Sequence, residues 1–215
     1  MQTVDAVPSD QSPAAASVRP KSISAKDGPL PVSQDVFMDL PVVQGQIVLL
    51  TPLGPDVDVD AYAAILGDAE VRFFTGTGRS VPREVLAAWL ASRPGQSERA
   101  DFAVRSMVDG SLLGEAVLSE VDEQNESAAY RVLLGTGARD RGVGTEVTRL
   151  VTDFAFSRGL HRVWLEVRDD NPRARRTYEK CGYAVEGCLR DALLFDGKRV
   201  DMLVMAALAP PRPAR

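Results

Sequence analysis

The stretch from residue 132 to residue 156, VLLGTGARDRGVGTEVTRLVTDFAF, constrains the fold of this chain more than any other. A short apolar run ends at Gly135, and a loop with four glycines and two arginines follows it. The next residues have the spacing of an amphipathic helix, whose apolar face consists of Val147, Leu150, Val151, Phe154 and Ala155. The stretch therefore predicts a strand, a glycine loop and a helix in succession.

A glycine loop that leads from a strand into a helix is suited to bind an anion. The first amides of a helix have no partner within the helix, and the helix dipole favours negative charge at that end. Glycine lets the main chain come close to a ligand, and Arg139 and Arg141 add two permanent cations. We therefore expect a phosphorylated cofactor to bind here.

Composition points to one ordinary domain and argues against several classes of partner. The 215 residues are 45% hydrophobic and 26% charged, and no stretch reaches the roughly 20 apolar residues of a membrane span. The net charge of −5 argues against a nucleic acid as the main partner. Cys181 and Cys188 lack metal-type spacing, and the N-terminus lacks a secretion signal, so we expect a cytoplasmic protein without a metal site.

The two ends of the chain differ in composition from its middle. Residues 1–40 are rich in Pro, Ser and Ala without an apolar period, which predicts a flexible tail. Phe37 and Met38 lie in this tail, and the sequence gives no partner for them. The folded domain is expected over residues 41–209, with residues 210–215 as a second, short tail.

The period of the apolar residues changes along the domain and gives the order of its elements. It predicts a strand, two helices, three strands, a helix, a strand, a helix and two strands, which is a mixed α/β fold on a single sheet. The first helix is expected to start at Asp56, and residues 71–80 are expected to form a glycine-punctuated loop. Asp109-Gly110 predicts a two-residue hairpin turn.

A second motif lies in the last predicted helix. Asn171-Pro172 is a strong helix start, with the asparagine as N-cap, and Gly182 is the expected stop. Tyr178 lies on the apolar face of this helix, where a tyrosine more often belongs to the core.

These motifs resemble those of the GNAT acetyltransferase superfamily. The loop 139–144 fits the pattern R/Q-x-x-G-x-G/A, and residues 171–183 resemble the signature N-x-x-A-x-x-x-Y-x-K-x-G-F/Y. Residues 186–190 and 196–201 are similar to the RimJ/RimL-type branch of that superfamily. The resemblance, which runs from about residue 46 to residue 208, implies a mixed, mostly antiparallel sheet of about six to seven strands. It also implies that this sheet is splayed at its centre and has helices on both faces.

The resemblance implies that acetyl-CoA is the co-substrate. The loop amides would hold its pyrophosphate, and its pantetheine arm would lie between the splayed strands and pair with their freed main-chain groups. Asn171 would bind the pantetheine and Arg175 the phosphates. The full set of implied cofactor residues is Val132, Leu133, Leu134, Arg139, Arg141, Gly142, Val143, Gly144, Thr145, Asn171, Arg175 and Tyr178.

The resemblance also implies a catalytic arrangement. The amide of Leu134 would stabilise negative charge on the thioester oxygen, and Tyr178 would protonate the departing thiolate, because a phenol pKa near ~10 keeps it protonated at neutral pH. RimJ/RimL-type relatives often carry an acid where this chain has Ala128 and Ala129. The candidate general bases are therefore Glu115 and Glu120, followed by Asp122, Glu84 and Tyr130.

The implied activity is that of an N-acetyltransferase, in which a primary amine attacks the thioester directly. The acceptor would be a protein N-terminus, or a small molecule such as a polyamine, an amino acid or an aminoglycoside-type drug. The acidic run from Glu120 to Glu126 could attract a cationic substrate. The alternative function is a non-catalytic acyl-CoA-binding sensor of the same fold. The C-terminal hairpin and the first helices are plausible surfaces for a homodimer.

Overall fold

The computed structural model describes residues 36–75 and 81–211. The strands are β1 Val43–Gln44, β2 Val48–Pro52, β3 Ala100–Ser106, β4 Leu112–Asp122, β5 Ser127–Leu134, β6 Arg162–Arg168, β7 Ala184–Phe195 and β8 Lys198–Leu208. The helices are α1 Val59–Gly67, α2 Ala69–Thr75, α3 Arg83–Ala91, α4 Val143–Ser157 and α5 Pro172–Lys180, with a short 3₁₀ turn at Thr136–Ala138. This order agrees with the predicted one, apart from the added β1 and α2.

The eight strands form one sheet in the order β1-β2-β3-β4-β5-β6-β8-β7. Among the described residues β5 and β6 run parallel, and the other neighbouring pairs run antiparallel. The expected mixed, mostly antiparallel sheet is therefore confirmed. The count reaches eight because the two-residue β1 pairs with β2, and a strand this short leaves no alternation to read in a sequence.

Helices cover both faces of the sheet, as alternation along β3 shows. Phe102 faces a core that includes α4, where its ring meets Phe154 edge-on at a centroid distance of 5.3 Å. Ala103, the next residue, faces a second core on the other side, together with Tyr62 of α1 and Leu90 of α3. Successive side chains of a strand point to opposite faces, so α4 lies on one side and α1 and α3 on the other. None of the helices in residues 36–75 and 81–211 has the length and apolarity to cross a membrane.

Two helix assignments made from the sequence are wrong. Helix α1 begins at Val59 rather than at Asp56, because the Asp58 carboxylate caps it by accepting from the amides of residues 60 and 61. Helix α2 occupies residues 69–75, where a loop was expected, and Asp68 caps it in the same way, through the amides of Glu70 and Val71. Residues 76–80 of that expected loop lie outside the described residues.

The expected two-residue turn at Asp109-Gly110 is also wrong. Strand β3 ends at Ser106 and β4 begins at Leu112, so five residues connect them. The Ser106 amide donates to the Ser111 carbonyl, and the Asp109 carboxylate accepts from the Ser111 amide at 3.1 Å. The aspartate side chain therefore closes a longer loop, which the dipeptide alone does not distinguish from a tight turn.

Residues 36–40, which the sequence assigns to the tail, pack on the domain instead. Phe37 is 1% exposed, and its ring stacks on Phe154 of α4 at 6.1 Å. Arg158 donates from its guanidinium to the carbonyls of Val36 and Asp39. Burying such a side chain contributes about 1.5–3 kcal/mol. The sequence could not show this contact, because its partners lie more than one hundred positions away.

The two parallel strands separate after a short stretch of pairing. Residues Ser127–Ala129 of β5 pair with residues Arg162–Trp164 of β6, and the pairing of these two strands stops there. Beyond that point β5 continues to pair with β4 up to Leu134, and β6 with β8 up to Arg168. The inner edges of both strands are left without a strand partner over their last residues, and the sheet opens at its centre.

Candidate active site

A cleft of about 570 Å³ opens where β5 and β6 separate. Its walls are the ends of these two strands, the loop that precedes α4, the first turns of α4, one side of α5 along its whole length, and α2. The expected site residues that line it are Val132, Leu133, Leu134, Arg139, Gly142, Gly144, Thr145, Asn171 and Tyr178. Two distant parts of the sequence, the glycine loop and the Asn/Tyr helix, therefore meet at one cleft.

The open edge of β5 presents free peptide groups to this cleft. The main-chain N–H of Gly135 donates to the Leu113 carbonyl, so the N–H of Gly135 points towards β4. Because successive residues in a strand turn their peptide groups to opposite sides, those of Val132 and Leu134 face away from β4 and into the gap. An extended ligand in the gap could pair with them as an added strand does.

The glycine loop delivers the N-terminus of α4 to the same place. Gly142 is the N-cap residue and has φ = 79°, a left-handed conformation that glycine adopts without cost, and no side chain caps the helix. A Cβ on Gly144 would touch side-chain atoms of Leu134 and Thr177 at 3.6 Å, so glycine keeps the passage between them open. The Val143 side chain is buried in the core, and only its main chain can serve a ligand. Arg141 is exposed and does not line the cleft.

Arg139 lines the cleft but is not the free cation that the sequence suggested. Its guanidinium donates to Asp68 at 2.6 Å and pairs with Glu70 at 2.9 Å. The Nε atom is buried and has no hydrogen-bond partner. Glu70 also pairs with Arg173 of α5. The sequence could not reveal these partners, because Asp68 is 71 positions from Arg139.

Arg175 is the second arginine whose expected role the structure does not support. It pairs with Glu179 one helical turn later, at 2.9 Å, and lies outside the cleft lining. Arg173 and Arg176 line the cleft instead, and their spacing of three residues puts them on one face of α5. Asn171 lines the cleft and caps α5, accepting from the Ala174 amide at 3.0 Å.

Tyr178 combines burial with access to the cleft. It is 9% exposed, and its ring packs against those of Tyr130, at 6.5 Å, and Tyr183, at 5.9 Å. Burial raises the pKa of Tyr178 to about 12, and the neighbouring Cys181 adds to this. Its hydroxyl is therefore a proton donor at neutral pH. Within the described residues this hydroxyl makes no hydrogen bond that would hold it away from a ligand.

Glu115 is buried beneath the cleft rather than exposed in it. It is 2% exposed, accepts from the Tyr62 hydroxyl at 2.6 Å and from the Arg131 guanidinium at 2.9 Å, and is absent from the cleft lining. Burial raises the pKa of Glu115, although Arg131 and the Tyr62 hydrogen bond oppose that shift. Glu115 is therefore not placed for direct contact with an acceptor amine, and its expected role as a base stays a prediction that requires an intervening water.

The other candidate bases are placed no better. Glu120 is exposed at a bulge in β4, five residues from Glu115, which is about 17 Å along an extended strand. Asp122 lies at the same far end of the sheet, where it pairs with Ser127, and Glu84 is on α3 outside the cleft lining. Tyr130 lines the cleft, but burial raises its pKa well above the usual value. The three carboxylates thus lie outside the cleft lining, and Tyr130 keeps its proton at neutral pH.

The structure adds two residues that the sequence analysis missed, Arg131 of β5 and Glu166 of β6. Both line the cleft, on the face opposite to α4. Glu166 is exposed, and no ion pair holds it among the described residues. In β6 the side chain of Glu166 points to one face of the sheet, and those of the buried Leu165 and Val167 point to the other. This alternation could have identified Glu166 from the sequence, but only if β6 had been known to border the cleft.

The fold and the site together define a class of protein with a mixed sheet that opens at its centre onto a cleft beside an uncapped helix N-terminus. The family model described as acetyltransferase (GNAT) domain matches residues 48–184, which is more than half of the chain. The chain belongs to this family.

Curated relatives match part of the chain. The spermidine N(1)-acetyltransferase of Vibrio cholerae is 28% identical over 98 residues, which are 45% of this chain and 57% of the relative. The streptothricin acetyltransferase of Streptomyces lavendulae is 33% identical over 89 residues, covering 41% of this chain and 46% of the relative. The chain thus spans about half the length of these curated relatives.

Solved structures share the fold over a longer range. The spermidine N-acetyltransferase of Vibrio cholerae in complex with CoA and spermine has a TM-score of 0.69 at 20% identity, covering 75% of this chain and 95% of that one. An acetyltransferase (GNAT family) from Bacillus anthracis has a TM-score of 0.68 at 16% identity, covering 78% and 98%. At this level of identity the likeness establishes the fold.

Proposed function

We propose that this protein is an N-acetyltransferase that transfers the acetyl group of acetyl-CoA to a primary amine by direct attack. The observation that carries the proposal is the opening between β5 and β6, where free peptide groups, the N-terminus of α4 and Tyr178 border one cleft. The family match and the names of the curated relatives support it.

The residues around the cleft fit coenzyme A. The first-turn amides of α4, from Val143 to Thr145, have no side-chain cap and would hold the pyrophosphate. Arg176 and Lys180 of α5 line the cleft and would bind phosphate, which revises the role first given to Arg175. The peptide groups of Val132 and Leu134 and the side-chain NH2 group of Asn171 would hold the pantetheine arm. When bound, acetyl-CoA supplies the activated acetyl group.

Three groups of the chain would then act on the reacting atoms. The amide of Leu134 would donate to the thioester oxygen and stabilise the negative charge that develops there. The Tyr178 hydroxyl would donate its proton to the leaving sulfur. Glu166 would accept the proton that the acceptor ammonium must lose before its nitrogen can attack, directly or through one water.

The proposal so far does not specify which amine accepts the acetyl group. The names of the curated relatives point to small amines, since they include spermidine and streptothricin. The RimJ/RimL-type branch, a protein N-terminus as acceptor, the cytoplasmic location and the homodimer all stay predictions. A non-catalytic acyl-CoA sensor would have no use for Tyr178 and Glu166 at the cleft, so the structure favours the enzyme.

Incubation with acetyl-CoA and an amine panel should release free thiol in proportion to acetylated amine. Calorimetry on the same preparation should show coenzyme A binding. Binding without thiol release for any amine would favour the sensor, and the absence of coenzyme A binding would remove the cofactor assignment altogether.

Replacing Glu166 by Gln should lower kcat about 10²-fold near pH 7, because the amide cannot accept the ammonium proton. A free amine needs no base, so the deficit should shrink as the pH rises towards the pKa of the acceptor amine. The measurement is a pH profile of kcat and kcat/KM for both proteins. Glu98→Gln removes an exposed carboxylate outside the cleft and should leave the profile unchanged. A normal rate for Glu166→Gln at pH 7 would exclude this role.

A further inference from the structure

We infer that the acceptor is an amine that carries a carboxylate near its nitrogen, with Arg131 as the group that binds the carboxylate. This inference rests on the proposed function and names the substrate class within it. It departs from a polyamine acceptor, which is what the name of the spermidine-acetylating relative would suggest.

Arg131 is held in place by a buried carboxylate. Its NH2 atom donates to Glu115 at 2.9 Å, and Glu115 accepts in turn from the Tyr62 hydroxyl at 2.6 Å. Glu115 and Tyr62 are each 2% exposed, whereas the Arg131 side chain is 59% exposed. One edge of the guanidinium is therefore fixed, and its other N–H groups remain for a ligand in the cleft. A guanidinium positioned in this way is suited to a planar carboxylate.

Glu166 faces the same part of the cleft from the other strand. The register pairs Ala129 with Trp164, and two residues further along it brings Arg131 level with Glu166 on the same face. The strands have separated by this point, and the two side chains form no ion pair with each other within the described part of the chain. A cation and an anion thus stand on opposite walls of a gap, each with capacity for a ligand group of opposite charge.

The remaining charges of the cleft do not favour a second cation on the acceptor. Six basic and three acidic side chains line it, although the whole chain has a net charge of −5. Of the acids, Glu70 already pairs with two arginines, and Asp140 lies in the loop on the cofactor side. The acidic run from Glu120 to Glu126 lies at the far end of β4 and β5. A polyamine would therefore bring its second ammonium close to Arg131 without an acid to receive it.

The test on the unchanged protein compares pairs of amines that differ in one charge. Each amino acid is assayed beside its C-terminal amide and beside spermidine, with thiol release as the readout. The expected result is a kcat/KM at least about tenfold higher for some amino acid than for its amide and than for spermidine. A preference for the amide, for a peptide with the same N-terminal residue, or for spermidine would overturn the inference.

The test on variants asks whether Arg131 causes that preference. Arg131→Gln should raise the acceptor KM about tenfold or more, abolish the preference for the acid over its amide, and leave the KM for acetyl-CoA unchanged. Arg131→Lys keeps the charge and should recover part of the preference. Arg83→Gln is the matched control, since Arg83 is 61% exposed, pairs with Asp60 and lies outside the cleft. A preference that survives in Arg131→Gln would overturn the inference.

A binding measurement separates this inference from the proposed function. Protein saturated with coenzyme A is titrated with the same acids and amides, and the heat of binding is recorded for the wild type, Arg131→Gln and Arg131→Lys. If no amine is acetylated but acids bind in an Arg131-dependent way, the carboxylate site at Arg131 stands and the enzyme proposal fails. If acetylation occurs but is indifferent to the carboxylate, the enzyme proposal holds and the inference fails.

Discussion

Replacing Tyr178 by Phe should lower kcat about 10²- to 10⁴-fold at neutral pH while coenzyme A binds almost as before. The change removes a proton donor and nothing else of consequence. The hydroxyl makes no hydrogen bond within the described residues, and the ring contacts with Tyr130 and Tyr183 would persist. Because the pKa of Tyr178 is raised to about 12, the donor stays protonated across the working pH range. The deficit should therefore be constant from pH 6 to 9.

Tyr183→Phe is the matched control for this variant. Tyr183 is also buried, but its hydroxyl is hydrogen-bonded to that of Thr152 at 2.8 Å and lies outside the cleft lining. Its removal should cost about 1 kcal/mol of unfolding free energy and leave kcat intact. The measurements are steady-state kinetics, calorimetry with coenzyme A and a urea unfolding curve for each protein. A normal kcat for Tyr178→Phe would exclude it as the proton donor.

Local spacing accounts for the part of the site that the sequence predicts. The glycine loop and its helix are contiguous, and Asn171 and Tyr178 lie on one short helix. Patterns of this kind are fixed by neighbours within a few residues, so they can be read from one sequence. The structure brings these two segments to one cleft, which the sequence analysis expected only through the family resemblance.

Contacts between distant residues account for most of what the sequence analysis missed. Arg139 looks like a free cation beside the glycine loop until Asp68 and Glu70 are brought to it by α1 and α2. Glu115 looks like an available carboxylate until Tyr62 and Arg131 enclose it. The sequence does not distinguish a buried, paired carboxylate from an exposed, free one. The choice of general base among Glu115, Glu120 and Glu166 therefore required the register of the strands.

Gly114→Ala should be the most disruptive single change near the site. Gly114 lies in β4 opposite Leu134, and a Cβ there would be 2.0 Å from the Leu133 carbonyl oxygen and 3.0 Å from the Leu134 Cα. Both contacts are with main chain, so no side-chain rotation can relieve them. Either β4 and β5 move apart or the chain bends, at an expected cost of about 3 kcal/mol or more in unfolding free energy.

The same movement should impair catalysis in whatever fraction of Gly114→Ala folds. The Leu134 amide, which we expect to face the thioester oxygen, is part of the backbone that must shift, and a displacement of ~1 Å at a reacting group can cost about 10²-fold in rate. Gly187→Ala is the control, because Gly187 also lies in a strand but a Cβ there has open space around it. Urea unfolding and kcat per folded molecule should both be near normal for Gly187→Ala. Wild-type values for Gly114→Ala would show that β4 and β5 do not approach as closely as the structure has them, and the position of the Leu134 amide would then have to be revised.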